Sequence, residues 1–172
     1  ANQMLALAKV EQLRQQGEAP VVDWAEITRA VALDLAPLVA MQQLDFDIDT
    51  ARAPVRAYEW ALRELTRNLL HNAIKHSAVH GRLGVSLGVD GAQATLCIAD
   101  SGPGITPELR QRLFQPFASG DPRSGSGLGL AICQEIVGTL GGQIHLDNRI
   151  EPGRITGLDA VVSLPLADNP VA

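Results

Sequence analysis

Two asparagines one helical turn apart are the residues of this chain whose types point most directly to chemistry. In residues 56–77 a helical repeat places Glu64, Asn68, Asn72 and Lys75 on one polar stripe, beside a stripe of apolar residues. Glu, Lys and Gln propagate a solvated helix better than asparagine does. Carboxamide oxygens are acceptable Mg²⁺ ligands, and a lysine ammonium can bind a phosphate as a point charge. Taken alone, the stripe is also explained by asparagines that hydrogen-bond neighbouring loops.

A first glycine loop follows an apolar strand later in the chain. Residues 100–104 read DSGPG, directly after the segment TLCIA. The glycines allow the backbone to approach a flat ligand closely. The Asp100 carboxylate can accept a hydrogen bond from the 6-amino group of adenine, whereas guanine presents an acceptor at that position and is repelled. Taken alone, these residues are equally consistent with a plain turn.

A second glycine loop runs directly into a helix. Residues 125–129 read GSGLG, and amide-rich loops at helix N-termini suit phosphate groups. The loop is not a Walker A motif, because Ser126 stands where that motif requires lysine. Each feature is weak by itself. In this order each suits one part of Mg·ATP, and together they predict a nucleotide site.

Periodicity and capping predict the elements that must position these residues. Helices are predicted at 23–42, where Asp23 and Glu26 form a capping pattern, at 56–77, from Thr106, and at 129–140. Strands are predicted at 44–48, 82–89, 94–99, 143–148 and 158–164. This order predicts an α/β (α+β) two-layer sandwich, with helices on one face of a mixed, mostly antiparallel sheet.

Composition restricts the class of function. The chain has 172 residues, 46% of them hydrophobic and 19% charged, which fits a globular domain. A net charge of −5 without a basic run argues against a nucleic-acid partner. No apolar run reaches the roughly 18 residues that a membrane span needs. Cys97 and Cys133 lie in apolar contexts that predict buried free thiols and a reducing, cytoplasmic setting.

Four segments in order resemble the motifs of one ATP-binding superfamily. Residues 64–77 (ELTRNLLHNAIKHS) look like its N box and residues 99–105 (ADSGPGI) like its first glycine box. Residues 113–117 (LFQPF) resemble its F box and residues 125–132 (GSGLGLAI) its second glycine box. Over residues 23–164 the chain therefore resembles the catalytic domain of sensor histidine kinases. The same superfamily contains gyrase, the Hsp90 chaperones and MutL-type ATPases.

The resemblance implies a Bergerat fold that holds ATP and Mg²⁺ under a lid between the F box and the second glycine box. By position, Asn68 and Asn72 become the Mg²⁺ and phosphate residues. Lys75 and His76 face phosphate or ribose, and Asp100 receives the adenine amino group. The catalytic residues implied are Asn68, Asn72 and Lys75. The further nucleotide contacts implied are Gly102, Gly104, Ile105, Phe117, Arg123, Ser126, Gly127, Leu128, Gly129 and Leu130.

The same resemblance implies a division of the chain and a set of partners. Residues 1–19 are predicted to be the end of a dimerisation-domain helix with its linker, 20–166 the catalytic domain, and 167–172 a tail. A helix packed on its own domain is the alternative for the first segment. The partners implied are the parent's own dimerisation domain, which carries the phosphoacceptor histidine, and a response regulator. The parent protein is expected in the bacterial inner membrane, with this domain in the cytoplasm.

Two departures from the family pattern bear on function. The phosphoacceptor motif is absent, since none of the four histidines, His71, His76, His80 and His145, has its context. The lid, 118–124, is short, and Ser119 stands where the family commonly has an arginine that Arg123 would replace. The alternatives are an ATP-hydrolysing clamp of the gyrase or chaperone kind, a serine kinase of the same fold, and a nucleotide-sensing pseudokinase. Clamp ATPases place a glutamate base where this chain has Asn68, which favours phosphotransfer over hydrolysis.

Overall fold

The computed structural model describes Ala8, Lys9, Gln12 and residues 19–111 and 129–167. In chain order its elements are β1 (Val21–Asp23), α1 (Trp24–Met41), β2 (Asp45–Thr50), β3 (Pro54–Arg56), α2 (Glu59–His76), β4 (Arg82–Asp90), β5 (Gln93–Ala99), α3 (Pro107–Arg110), α4 (Gly129–Thr139), β6 (Gln143–Glu151) and β7 (Arg154–Pro165). None of the helices in these ranges is long and apolar enough to cross a membrane.

The main sheet has five strands in the order β2-β4-β5-β7-β6. Strand β2 runs parallel to β4, and the other three pairs are antiparallel. The predicted mixed, mostly antiparallel sheet is therefore confirmed. Strands β1 and β3 form a separate two-stranded sheet that the sequence did not predict, because three residues per strand are too few for an alternating pattern to show.

The core lies between one face of the main sheet and the helices. On that face every second strand residue is an almost fully buried aliphatic, as in Leu83, Val85 and Leu87 of β4 and Leu96 and Ile98 of β5. Helices α1, α2 and α4 contribute buried aliphatic residues to the same core. The opposite face of the sheet is only partly buried, which gives the predicted two layers.

Helix α1 begins where the capping pattern predicted. The Asp23 Oδ1 atom accepts hydrogen bonds from the backbone N–H of Ala25 at 3.1 Å and of Ala53 at 2.9 Å. One side chain therefore caps the helix and also holds the segment leading into β3. Pro37 lies inside α1.

Helix α2 begins later than its predicted start at residue 56. Arg56 is the last residue of β3 and pairs with Val21, so α2 starts at Glu59. The predicted start was wrong by one turn, because Arg56 pairs with the distant strand β1 and is therefore extended instead of helical.

The two cysteines differ in burial. Cys133 is buried as expected, whereas Cys97 is only half-buried, on the open face of the sheet; both are free thiols.

The two ends of the chain are described only in part. Ala8, Lys9 and Gln12 are helical, and the Lys9 ammonium lies 6.0 Å from the centre of the Trp60 ring. At the other end, the Ala167 N–H donates to the Pro54 carbonyl at 2.8 Å, which ties this residue to β3. The assignment of 1–19 to a dimerisation domain stays a prediction.

A buried hydrogen bond joins helix α1 to helix α2. The fully buried Trp24 indole N–H donates to Thr66 Oγ1 at 3.1 Å, and that hydroxyl donates to the Leu62 carbonyl at 2.8 Å. We expect Thr66→Val, which keeps the volume but removes the acceptor, to lower the free energy of unfolding by about 1–3 kcal/mol. Urea denaturation measures this cost. The control is Thr95→Val, whose hydroxyl is half-buried on the open sheet face. Equal costs for the two variants would contradict the role of the Trp24 contact.

Candidate nucleotide-binding site

The main candidate site is a cavity of about 110 Å³ bounded by α2, the first glycine loop, α3, the start of α4 and the sheet. Most of its surface is apolar, and the polar side chains on it are Asn72, His76 and Asp100. Ligand sites of this kind combine apolar walls with a few placed polar groups. The full lining is Leu69, Asn72, Ala73, His76, Ile98, Asp100, Pro103, Gly104, Ile105, Leu109, Leu130, Leu146, Leu158 and Ala160.

Asp100 is the buried polar group of this cavity, with 4% of its surface exposed. Its Oδ1 atom accepts the Gly102 N–H at 2.8 Å and the Leu158 N–H at 3.1 Å. Burial raises the pKa of the carboxyl above its ordinary value, and the two backbone hydrogen bonds, His76 and Arg149 oppose the rise. The carboxyl is therefore held in a fixed orientation at a desolvated position.

The glycines of the first loop are required by close packing. A Cβ on Gly102 would lie 2.3 Å from the His76 carbonyl oxygen, so only glycine lets the loop pass the end of α2. Gly104 has φ +76, and a Cβ there would lie 2.4 Å from the Asn148 Oδ1 atom. The loop therefore packs between the end of α2 and strand β6.

The C-terminal end of the polar stripe on α2 reaches the cavity. Asn72 and His76, one turn apart, both line it. Asn68 lies one turn earlier, and its Nδ2 donates to the Glu64 carbonyl at 2.8 Å and to the Glu64 carboxylate at 3.3 Å. Burial and the neighbouring Lys75 ammonium lower the pKa of His76, with Asp100 acting in the opposite direction. His76 is therefore a neutral imidazole at physiological pH, able both to donate and to accept a hydrogen bond.

The structure brings together part of the predicted set of site residues. Asn72, His76, Asp100, Gly104, Ile105 and Leu130 all line the cavity, and Gly102 contacts the Asp100 carboxylate. Asn68, Lys75 and Gly129 lie on the adjoining helices but do not line it. The remaining predicted contacts lie outside the described residues, as do the F box and the lid: Phe117, Arg123, Ser126, Gly127 and Leu128.

Sequence reasoning missed most of the apolar wall. Its members come from every layer of the fold: Leu69, Ala73, Ile98, Pro103, Leu109, Leu146, Leu158 and Ala160. The strand residues among them were recognisable as core by their alternation, but core residues facing the helices and core residues facing a ligand have the same pattern. Only the position of the cavity in the folded structure distinguishes the core residues that line it from those that pack against the helices.

A two-layer sandwich with this cavity defines a class of protein. An apolar slot with one buried carboxylate suits a purine base, and a rim with a carboxamide and an imidazole suits the polar remainder of a nucleotide. The class is that of an ATP-binding catalytic domain.

Comparisons with known proteins agree with this class. The family described as "Histidine kinase-, DNA gyrase B-, and HSP90-like ATPase" matches residues 57–168. A signal transduction histidine-protein kinase/phosphatase MprB of Mycolicibacterium smegmatis is 38% identical over 126 residues, which cover 71% of this chain and 26% of the relative. The solved mycobacterial sensor histidine kinase MprB is 31% identical, with a TM-score of 0.76 over 89% of this chain and 99% of that one. A structure of full-length ShkA in complex with AMPPNP is 25% identical, with a TM-score of 0.81 over 99% of this chain and 36% of that one.

The chain therefore belongs to the histidine kinase-, DNA gyrase B- and HSP90-like ATPase family, and within it to the catalytic domains of sensor histidine kinases. It spans about a quarter of the length of the curated MprB relative, 26%.

The raised pKa of Asp100 predicts a stability effect in the nucleotide-free protein. Because the pKa is higher in the folded state, the stability gained on protonation is present at acidic pH and is lost as the pH rises through the folded pKa. Asp100→Asn removes the charge and keeps Oδ1 for the two backbone donors. We therefore expect it to raise the thermal midpoint in slightly alkaline buffer, by an amount that shrinks on acidification.

Differential scanning fluorimetry over a pH series measures this difference. The matched control is Asp49→Asn, on an exposed position of β2, which should leave the midpoint unchanged. A loss of stability in Asp100→Asn at every pH would show that the carboxylate form itself supports the fold.

Proposed function

We propose that this chain binds ATP with Mg²⁺ and transfers the γ-phosphate to a histidine on a separate dimerisation domain, for relay to a response regulator. The observation that carries the proposal is the buried Asp100 carboxylate in an apolar cavity whose rim holds Asn72 and His76. The names of the relatives, signal transduction histidine-protein kinases, support the reaction class. The AMPPNP complex of ShkA, with an analogue of ATP, supports the ligand.

Adenine recognition is assigned to Asp100. Its Oδ1 atom already accepts two backbone N–H groups, so Oδ2 is the oxygen proposed to receive the 6-amino group of the base. Guanine would place a carbonyl oxygen against this oxygen, and two acceptors repel. The aliphatic walls contributed by Ile98, Leu146 and Leu158 suit the faces of a planar base.

The phosphates are assigned to the polar end of the cavity, beside α2. Asn72 is at the rim, Asn68 lies one turn away, and Lys75 follows on the exposed side of the helix. In residues 19–111 and 129–167 there is no group of three His, Cys, Asp or Glu side chains that could hold a metal ion. A carboxamide rim of this kind fits Mg²⁺, which takes one or two protein oxygens and completes its shell with water and substrate phosphates.

Bound Mg²⁺ would supply positive charge against the phosphate oxygens. The residues of this chain then act by positioning: Asp100 holds the base, Asn72 and Asn68 orient the triphosphate, and Lys75 offsets negative charge. In the transfer itself, the bond between the γ-phosphorus and the β–γ bridging oxygen breaks and a phosphorus–nitrogen bond to the imidazole forms. ADP is the leaving group.

The geometry around Asn68 disfavours hydrolysis, the main alternative. A general base that activates water must reach the γ-phosphate, and the position one turn before Asn72 holds a carboxamide that cannot accept a proton near neutral pH. The nearest glutamate, Glu64, lies a further turn away, and its carboxylate accepts a hydrogen bond from Asn68. Water therefore lacks the glutamate base that clamp ATPases place at the position of Asn68.

We also propose the setting in which the domain works. A response regulator and ATP are available on the cytoplasmic side, and the curated MprB relative is much longer than this chain. The proposal places the domain in the cytoplasm as part of a longer sensor kinase in the bacterial inner membrane, where the parent's own dimerisation domain is its first partner.

Base selectivity tests the role of Asp100. We expect wild type to bind ATP at least about tenfold more tightly than GTP, since a hydrogen bond to a charged group is lost with guanine. In Asp100→Asn the amide nitrogen replaces Oδ2 and presents a donor. ATP affinity should therefore fall, and the preference should shift towards GTP. Isothermal titration with both nucleotides measures the ratio, and Asp49→Asn, on an exposed position of β2, is the control. Equal affinity of wild type for ATP and GTP would sink the adenine assignment.

Phosphotransfer in trans tests the reaction. The chain alone should bind ATP but neither label itself nor hydrolyse ATP appreciably. A purified dimerisation domain with its phosphoacceptor histidine should become labelled slowly from radioactive ATP, because the tether that raises effective concentration is missing. The label should be labile in acid and stable in alkali, as a phosphoramidate is. Asn72→Ala should lower the rate, whereas Gln93→Ala, on an exposed hairpin position, should not.

A dimerisation domain whose phosphoacceptor histidine is replaced by glutamine serves as the negative control. Rapid ATP hydrolysis by the chain alone would contradict the kinase proposal. Acid-stable label on a serine would instead place the protein with the serine kinases of this fold.

A further inference from the structure

Two neighbouring residues of β6, Asn148 and Arg149, contact opposite ends of the first glycine loop. The loop, residues 100–104, carries the carboxyl proposed to recognise the base, and Ile105 follows it directly. Asn148 binds Ile105, and Arg149 binds Asp100, the first residue of the loop. Neither residue belongs to the four motifs found in the sequence.

Asn148 holds the end of the loop through both groups of its side-chain amide. The Ile105 N–H donates to Asn148 Oδ1 at 2.8 Å, and Asn148 Nδ2 donates to the Ile105 carbonyl at 2.9 Å. The carboxamide thus substitutes for the edge of a β-strand and satisfies both backbone groups of one residue. Gly104 permits this approach, because any Cβ there would lie 2.4 Å from Asn148 Oδ1.

Arg149 holds the start of the loop from the open face of the sheet. One terminal nitrogen donates to the Asp100 carbonyl and the other to the Asp159 carboxylate, each at 2.5 Å. To reach Asp100 the guanidinium passes across β7 above Gly157, its backbone partner in the β6–β7 ladder. A Cβ on Gly157 would lie 2.0 Å from the Asp100 carbonyl oxygen and 2.3 Å from the guanidinium nitrogen.

Strand geometry explains how adjacent residues reach opposite sides of the sheet. Successive side chains alternate, so Asn148 shares the face of the cavity residue Leu146, and Arg149 lies on the open face. The β6–β7 register shifts between Arg149 and Ile150, directly after the pair. Bulges of this kind re-aim side chains beside functional sites.

We infer that Asn148 and Arg149 are positioning residues that orient the Asp100 carboxyl towards the base by holding both ends of its loop. The inference rests on the proposed recognition of adenine by Asp100. The mechanism is geometric. The Asp100 N–H donates to the Leu158 carbonyl on β7, and Arg149 fixes the Asp100 carbonyl, which belongs to the next peptide unit, between Asp100 and Ser101. Releasing that carbonyl lets the peptide rotate and moves the carboxyl away from the amino group of the base.

The test compares ATP with purine riboside triphosphate, which lacks only the 6-amino group. The ratio of the two dissociation constants reports the hydrogen bond to Asp100. In wild type we expect the analogue to bind about tenfold more weakly or worse. In Arg149→Met and in Asn148→Ala the ratio should fall to within about threefold. A purely structural role would weaken both ligands equally and leave the ratio unchanged.

Four further variants separate a specific effect of the Arg149 contact from a general one. Arg154→Met makes the same substitution at an exposed position of the same hairpin and should keep the wild-type ratio. Arg149→Lys, with one ammonium in place of a two-pronged guanidinium, should give an intermediate ratio. Gly157→Ala should lower the ratio as Arg149→Met does, because its methyl group displaces the Asp100 carbonyl or the guanidinium. If Arg149→Met does not fold, Arg149→Lys and Asp159→Asn still perturb the contact more mildly.

The outcomes separate this inference from the proposed function. If Asp100→Asn abolishes the ratio but Arg149→Met and Asn148→Ala keep it at the wild-type value, the positioning role is overturned and adenine recognition stands. If wild type binds both nucleotides equally, the assignment of Asp100 fails, and the inference fails with it. A lowered ratio in both variants, with Arg154→Met unchanged, is the result expected.

Discussion

The site depends on keeping a carboxylate in an apolar cavity without losing its orientation. Burying an unpaired charge is costly, and this cost appears as the raised pKa of Asp100. Two backbone N–H groups, from Gly102 and Leu158, offset part of it through a single oxygen. The arrangement leaves the second oxygen for a ligand. In the proposed complex, the 6-amino group of adenine donates to this second oxygen, so base specificity and the local cost of burying the carboxylate have the same origin.

The two faces of the sheet make different contributions to the surroundings of this carboxyl. The helix-covered face of the sheet provides the aliphatic walls, and α2 brings its polar stripe to the rim with Asn72 and His76. The open face carries the ion pair of Arg149 with Asp159, whose side chains are about one-third exposed, at 33% and 31%. An ion pair at this exposure contributes little to global stability. The ion pair instead fixes the position of the guanidinium, which donates a hydrogen bond to the Asp100 carbonyl.

Contacts far from the cavity determine the position of α2 and thus of its asparagines. The Trp24–Thr66 hydrogen bond joins α1 to the middle of α2, two residues before Asn68. Strand β3, paired with β1, decides that α2 begins at Glu59, and the Asp23 side chain ties the start of α1 to the residue before β3. The end of α2 that carries Asn72 and His76 is therefore aligned by packing contacts that lie away from the cavity.

The sequence by itself determined the elements and the residue types that do chemistry. Apolar alternation placed the five strands of the main sheet to within a few residues, and the residue types of Asn72 and Asp100 pointed to a nucleotide. These signals are local, since each is contained within one turn, one strand or one loop. The resemblance to a known family added the roles that local patterns left open.

Only the tertiary structure decided which residues meet. Arg149 lies 49 residues from Asp100, and Asn148 lies 43 from Ile105. Their contacts depend on the order β5-β7-β6, on a register in which Gly157 faces Arg149, and on the irregularity after Arg149. The parallel pairing of β2 with β4 could not be predicted for the same reason. Strand partners are selected by the total burial of the whole sheet, and a linear pattern of apolar residues shows which face is buried but not which strand lies beside it.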